Sequence, residues 1–242
     1  IFVGDTLYFS ATDGSSGNEL WAHDTSNAST WQVADINSGT GNSNPGVYMS
    51  ILVGDTLYFD ASSPGSGYEL WAHDTSNSST WRVTDINSGT GIQHGSNPGQ
   101  YMSILVGDTL YFSATDGSSG HELWAHDTSN ASTWQVADID SGTGGSSPGS
   151  YMSMLVGDTL YFSANDGSSG HELWALDPTK IILNTPPPVS WETDPALPAG
   201  MSISNGVISG TPSVYANNQT YTIYANQSNY STTHQLYFSV DT

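Results

Sequence analysis

Short runs of alternating apolar and polar residues cover most of the chain, and no segment shows the 3.6-residue apolar period of an amphipathic helix. Alternation of period two predicts half-buried β-strands. The stretch from Tyr101 to Ile139 shows the plan. Tyr101 to Val106 reads as a strand, Gly107-Asp108 as a two-residue hairpin turn, and Thr109 to Ala114 as a second strand. Asp116 to Gly120 is a loop. His121 to Asp127 is a third strand, with Leu123 and Ala125 on one face and Trp124 and His126 on the other. Thr128 to Ser132 is a polar turn, and Thr133 to Ile139 is a fourth strand. A connection rich in Gly, Ser and Pro then leads to the next copy of the pattern.

The pattern occurs four times. Its leading leucines, Leu7, Leu57, Leu110 and Leu160, lie 50, 53 and 50 residues apart. Four strands joined by short turns and repeated at that period predict propeller blades. The expected fold is all-β: a propeller-like array of four four-stranded repeats over residues 1–184. A small four-bladed propeller is the first expectation; an open array or part of a larger ring is the alternative. The first copy opens on a clipped strand, Ile1-Phe2-Val3. The fourth lacks the Trp-x-Val strand, for which Lys180 to Leu183 is the candidate stand-in. Thr185-Pro186-Pro187-Pro188 then reads as a stiff connector to a second domain over 185–242, with strands at Gln219 to Ala225 and Gln235 to Asp241.

Two resemblances follow from these residues. Leu-Tyr-Phe-x-Ala, Asp-Gly-x-x-Gly-x-Glu-Leu-Trp and the following Asp resemble the Glu-Leu-Trp-x-x-Asp-Gly-Thr repeats of large secreted microbial proteins. The terminal Gly-Thr of that motif is replaced by Thr25-Ser26, Thr75-Ser76 and Thr128-Ser129. The resemblance implies a propeller-like fold at the cell exterior and no catalytic residues. After the proline run, Leu197-Pro198-Ala199-Gly200 and Gly206-Val207-Ile208-Ser209-Gly210-Thr211-Pro212 resemble Ig-type domains found in tandem on microbial surface proteins. That resemblance implies a β-sandwich used as spacer or adhesive module. About 57 residues follow the prolines, fewer than the roughly 100 of a small Ig-like sandwich. An incomplete sandwich leaves an edge open to strand addition, from Lys180 to Leu183 or from a neighbouring molecule.

The formal charge is −21, although only 10% of residues are charged, because Arg82 and Lys180 are the only lysine or arginine residues. A chain so poor in cations cannot neutralise phosphates, which excludes nucleic acid as a partner and disfavours an anionic membrane surface. Cysteine is absent, so neither disulfides nor thiolate metal sites are available. No stretch reaches the roughly 20 apolar residues of a spanning helix. Ile1 begins inside a strand pattern, which suggests a mature product or a section of a longer chain.

Candidate chemistry sits on the repeats. Asp13, Glu19, Asp116, Glu122, Asp166 and Glu172 flank Gly-rich loops, and oxygen ligands on such a loop suit Ca²⁺. The competing reading is that each Asp caps its own loop, which the second copy favours: it reads Ser62-Ser63-Pro64 and has lost the Asp. No other cofactor is expected. His23, His73 and His126 adjoin Asp24, Asp74 and Asp127, but the fourth copy carries Leu176 there, so strand packing is the expected role. Asp24, Asp74, Asp127 and Asp177 are expected to cap the following turn. Six sequons, at Asn27, Asn77, Asn130, Asn218, Asn226 and Asn229, make N-glycans an expected covalent partner; the first three occupy the same turn of successive repeats. No Ser lies in a nucleophile-elbow context and no acid pair stands out, so no enzyme activity is expected.

These readings lead to a non-enzymatic, extracellular or cell-surface structural protein that associates with copies of itself into a filament, stalk or layer. The alternative is a lectin-like adhesin that binds carbohydrate through exposed Trp and Tyr. The two separate on whether Trp21, Trp71, Trp124 and Trp174 are buried.

Overall fold

The computed structural model describes residues 1–89, 91, 94–178, 190–204, 207–213, 216–227 and 230–240. The chain divides into two compact units, Ile1–Ile181 and Ile182–Thr242.

The first unit is an array of antiparallel sheets, each a meander whose strands pair in chain order. The first sheet holds β1 (Phe2–Val3), β2 (Thr6–Ala11), β3 (Glu19–Asp24) and β4 (Ser29–Ala34). The second holds β5 (Ser50–Val53), β6 (Thr56–Ser63), β7 (Gly67–Asp74) and β8 (Ser79–Arg82). The third holds β9 (Ser103–Val106), β10 (Thr109–Thr115), β11 (His121–Asp127) and β12 (Ser132–Ala137). The fourth comprises β13 (Ser153–Val156), β14 (Thr159–Asn165) and β15 (His171–Leu176). Its expected fourth strand, Lys180 to Leu183, lies outside the described residues.

The register matches the expected alternation. In the second sheet Leu57 pairs with His73 and Phe59 with Trp71, while Tyr58 pairs with Ala72 and Asp60 with Leu70. Cross-strand partners share a face, so every sheet has a rear face of the Leu57 kind and a forward face of the Tyr58 kind. One difference from the sequence reading has a local cause. β9 starts at Ser103 and not Tyr101, because the Tyr101 and Met102 amides donate to Ser113 Oγ, at 2.9 and 3.4 Å, outside the ladder.

The core lies between sheets. Tyr8, Leu20 and Ala22 of the first forward face meet Leu57, Phe59 and Ala61 of the second rear face. Tyr58, Leu70 and Ala72 meet Leu110, Phe112 and Ala114 in the same way. Tyr111, Leu123 and Ala125 meet Leu160, Phe162 and Ala164. Each junction is thus built from the same six repeat positions, and burying such aliphatic and aromatic side chains contributes roughly 1.5–3 kcal/mol apiece.

The second unit has a three-stranded sheet of β16 (Ser190–Asp194), β19 (Ala216–Gln227) and β20 (Tyr230–Val240), ordered β16-β19-β20. A separate hairpin joins β17 (Met201–Ser204) to β18 (Val207–Gly210). The last two strands contain both sequence-expected segments except Asp241, which lies outside the described residues. They run longer because Gln227 pairs with Tyr230 at the tip of an extended hairpin. Tyr221 and Ile223 are buried in this unit.

Candidate interaction surface

The recurring pattern of the repeat resolves into four local devices, and each accounts for a residue that the sequence marked as chemically capable. The first is a buried carboxylate. Glu19, Glu69 and Glu122 are fully buried. Glu69 Oε1 accepts from Ser96 N at 3.0 Å, and its Oε2 from Ser96 Oγ at 2.7 Å and Ile86 N at 3.0 Å. Glu19 takes the same bonds from Ser43 and Ile36, and Glu122 from Ser146 and Ile139. The carboxylate therefore ties each of the first three sheets to the connection leading onward. Burial pushes the Glu69 carboxyl up to about 7 despite these bonds, and raises that of Glu122. Glu172 of the fourth repeat is exposed.

The second device is a loop cap. Asp13 Oδ1 accepts from the backbone N and Oγ of both Ser15 and Ser16, at 2.7–3.0 Å. Those bonds push its carboxyl well below the usual range. Asp166 sits at about 2, held there by the bonds from Ser169 and Ser168. At Asp116 partial burial works upward, but the bonds from Ser119 and Ser118 outweigh it and leave the group at about 2. These aspartates close their own loops, while the neighbouring glutamates of the first and third repeats face a different set of donors. Among the described residues no three His, Asp or Glu side chains converge on a metal-sized site.

The third device is the turn after the third strand. Asp24 Oδ1 accepts from Ser26 N at 2.8 Å and Ser26 Oγ at 2.6 Å, and its Oδ2 from Asn27 Nδ2 at 2.8 Å. Asp74 and Asp127 repeat the set with Ser76, Asn77, Ser129 and Asn130. Asn27, Asn77 and Asn130 are exposed, and each accepts through Oδ1 from the amide two residues on. An Asn amide has two N–H donors, and the bond to Asp uses one. The side chains of Asn218 and Asn226, and all of Asn229, lie outside the described residues.

The fourth device is a ring pair across the first two junctions. His73 packs on Tyr8 at 5.3 Å between ring centroids, and His126 on Tyr58 at 5.4 Å. Both imidazoles bond a threonine on the next strand, His73 to Thr80 and His126 to Thr133. Burial holds both below their ordinary pKa. In the fourth repeat Leu176 packs against the third core cluster, which contains Tyr111, and this explains why an apolar residue suits the position. Trp71, Trp124 and Trp174 also pack against the three inter-sheet cores.

What the repeats do not share is the state of the two end faces. Leu20, Leu70 and Leu123 are at most 3% exposed, yet the equivalent Leu173 is 65% exposed. Around it, on the same forward face, Val156 is 55% and Met154 50% exposed. Ala175 is exposed where Ala22, Ala72 and Ala125 are fully buried. On the rear face of the first sheet Phe2 is 58% exposed, and Leu7, Phe9 and Ala11 are only partly buried where their counterparts are fully buried. Sequence reasoning missed this surface, because the residues that form it are the same residues that form the core elsewhere.

A cavity of about 240 Å³ lies between the first two sheets, lined by Ile1, Tyr8, Phe9, Pro45, Gly46 and Phe59 among others. The same place at the next two junctions is filled. A Cβ on Gly99 would lie 2.6 Å from Met49 Cβ, and one on Gly149 2.5 Å from Met102 Cβ, whereas Gly46 has nothing closer than 3.7 Å.

Comparison with known proteins gives one family match. Residues 175–241 match the family described as Putative Ig domain, which agrees with the Ig-type reading of the C-terminal unit. No curated protein matches the chain. Among solved structures, TolB from Acinetobacter baumannii is similar at 12% identity and a TM-score of 0.44, over 96% of this chain and 49% of TolB. A puromycin hydrolase is similar at 14% identity and 0.49, over 73% of this chain and 26% of that one. A prolyl endopeptidase is similar at 12% identity and 0.47, over 99% and 41%. The chain thus spans less than half the length of each, and the fold described above rests on this chain's own strand pairing.

Proposed function

We propose that the protein is a non-enzymatic structural component of the cell exterior that associates with copies of itself. The observation that carries this reading is the uncovered apolar face of the fourth sheet, with Leu173 at 65%, Val156 at 55% and Met154 at 50% exposure. Contiguous exposed apolar surface marks interaction sites on soluble proteins. The net charge of −21 keeps such a protein soluble apart from specific contacts. The repeats resemble the Glu-Leu-Trp-x-x-Asp-Gly-Thr kind in part of that motif, and this resemblance and the Ig-like unit support an extracellular setting. N-glycans are expected at Asn27, Asn77 and Asn130, whose turn is exposed on every repeat that carries it. Enzymatic glycan release from natively produced protein, read by mass spectrometry, should convert those three asparagines to aspartate.

The test of self-association is sedimentation velocity over a concentration series. Growth of larger species with concentration supports the reading, and a single monomer boundary throughout contradicts it.

A second reading, carbohydrate recognition, has one observation in its favour: Trp31 and Trp81 occupy equivalent outer-strand positions and are 41% and 40% exposed. A glycan array decides it. Binding that is lost in Trp31→Ala and Trp81→Ala supports this second reading, and a blank array removes it.

A further inference from the structure

We infer that the first sugars of an N-glycan on Asn27 lie against the indole of Trp31, and those of a glycan on Asn77 against Trp81. The outer strand of each of these repeats thus carries the docking site of its own glycan. This rests on the glycosylation expected above and adds where the glycan goes. The starting observation is a face shared by three residues. Tyr8, which faces forward, pairs with Ala22, and Ala22 pairs with Trp31, so Trp31 stands on the forward face. Asp24 and Ser29 pair with each other two residues nearer the turn, on the same face. In the second repeat Tyr58, Ala72 and Trp81 are related in the same way, as are Asp74 and Ser79.

The atom that carries the glycan is held on that face too. Asp24 Oδ2 accepts from Asn27 Nδ2 at 2.8 Å, and Asp74 Oδ2 from Asn77 Nδ2 at 2.7 Å. An asparagine amide nitrogen has two hydrogens; the aspartate takes one, and N-glycosylation replaces the other. The sugar therefore leaves from a nitrogen that Asp24 anchors. The bond from Ser29 N to Asn27 Oδ1, at 2.9 Å, fixes the rest of the amide plane. From Ser29 to Trp31 is two strand residues, or about 7 Å, a span that the first sugars cover. Trp31 and Trp81 are exposed there, each offering a large ring face to a neighbour. Trp134, which follows Asn130 in the third repeat, is half-buried against the third core and offers less of its ring. The C–H face of a sugar ring suits an indole, and a neutral sugar suits a chain of net charge −21. A tethered sugar also holds an effective concentration in the millimolar range at that ring, which carbohydrate from outside has to match.

Hydroxyl-radical footprinting of the full chain, read peptide by peptide in a mass spectrometer, tests the inference. The chain is produced in an N-glycosylating host, unaltered and as two variants. Ser29→Ala removes the sequon of Asn27 and keeps the backbone Ser29 N that bonds it, whereas Ser29→Thr keeps the sequon. Covering one face of a ring removes about half of its access. Trp31 of the unaltered chain and of Ser29→Thr should therefore oxidise about twofold more slowly than Trp31 of Ser29→Ala. Trp81 should oxidise alike in all three. His23, half-buried on the rear face of the same hairpin, reports shading by a glycan that does not choose the forward face. Equal oxidation of Trp31 with and without a glycan on Asn27 would overturn the inference and leave the glycosylation reading standing. Protection of His23 equal to that of Trp31 would overturn it too, since the glycan would then screen both faces. Absence of a glycan from Asn27 of the unaltered chain would overturn both. Circular dichroism checks that Ser29→Ala is folded. If it is not, the unaltered chain from a host without N-glycosylation replaces it, and Trp31 and Trp81 should then both oxidise faster than in the glycosylated chain.

Discussion

At the scale of single residues, the repeat keeps its carboxylates where donors wait for them, and the exceptions give the sharpest predictions. Glu122 is fully buried with three donors aimed at it, whereas Glu172 is exposed. Glu122→Gln turns an amide N–H₂ toward groups that are themselves donors, and an unsatisfied buried polar group costs about 1–3 kcal/mol. Chemical denaturation should show that loss for Glu122→Gln and almost none for Glu172→Gln. Asp60 is the odd residue of its position, where the third and fourth repeats carry Ser113 and Ser163. Its Oδ1 accepts from Tyr48 N and Met49 N, both at 2.8 Å, but its Oδ2 is buried without a partner. Burial pushes this carboxyl up to about 6. Between about pH 4 and 6 the folded chain keeps a proton that the unfolded chain has released, so stability falls as pH rises through that window. Asp60→Ser should therefore raise Tm at pH 8, by the equivalent of about 2–3 kcal/mol at roughly 1.4 kcal/mol per pH unit across that window, and change little at pH 4.

At the scale of elements, much was legible in advance because the repeat is built from period-two strands and glycine turns. The Gly107-Asp108 turn and the pairing of Thr109–Thr115 with His121–Asp127 follow from alternation alone. The Asp24-type turn cap was equally readable, since Asp two and three residues before Ser and Asn forms such a turn in any context. The buried glutamates were not. A Glu beside a Gly-rich loop reads as a solvent-facing ligand, and only the fold brings Ser96, 27 residues on, against Glu69. The two end faces were illegible for the opposite reason. Leu173 lies in the same local sequence as Leu123, and what differs is the neighbour, which the alternation does not encode. The methionine-filled junctions offer a test at this scale. Gly99→Ala places a methyl group against Met49 Cβ and demands φ near +82° from an L residue, a conformation costing roughly 1–2 kcal/mol in itself. The equivalent Gly46→Ala makes only ordinary van der Waals contact, at 3.7 Å or more, and meets the backbone cost alone. Gly99→Ala should thus destabilise by about 1–3 kcal/mol more in thermal unfolding, as overpacked cores do.

At the scale of the whole molecule, two properties follow from sums over the repeats. Asp60 at about 6, Glu69 at about 7 and the raised Glu122 all hold protons longer in the folded state, while Asp13, Asp116 and Asp166 lose them more readily. The first set destabilises as pH rises from about 4 to 7, the second as it falls below about 4, and His73, His121 and His126, held below their ordinary pKa by burial, oppose the first set as pH rises toward about 6.5. Thermal unfolding across the acid range should therefore show Tm falling as pH drops below about 4, where the loop-capping aspartates take up protons, while above that the buried carboxylates and histidines act in opposite directions. The second property is the uneven burial of one repeat position: the forward-face leucine is buried in three sheets and exposed in the fourth, and the self-association proposed above would cover it. Electron microscopy of the intact chain at physiological salt tests that account most directly. Filaments or sheets that repeat with one subunit are the predicted result. Dispersed single particles at every concentration would contradict it.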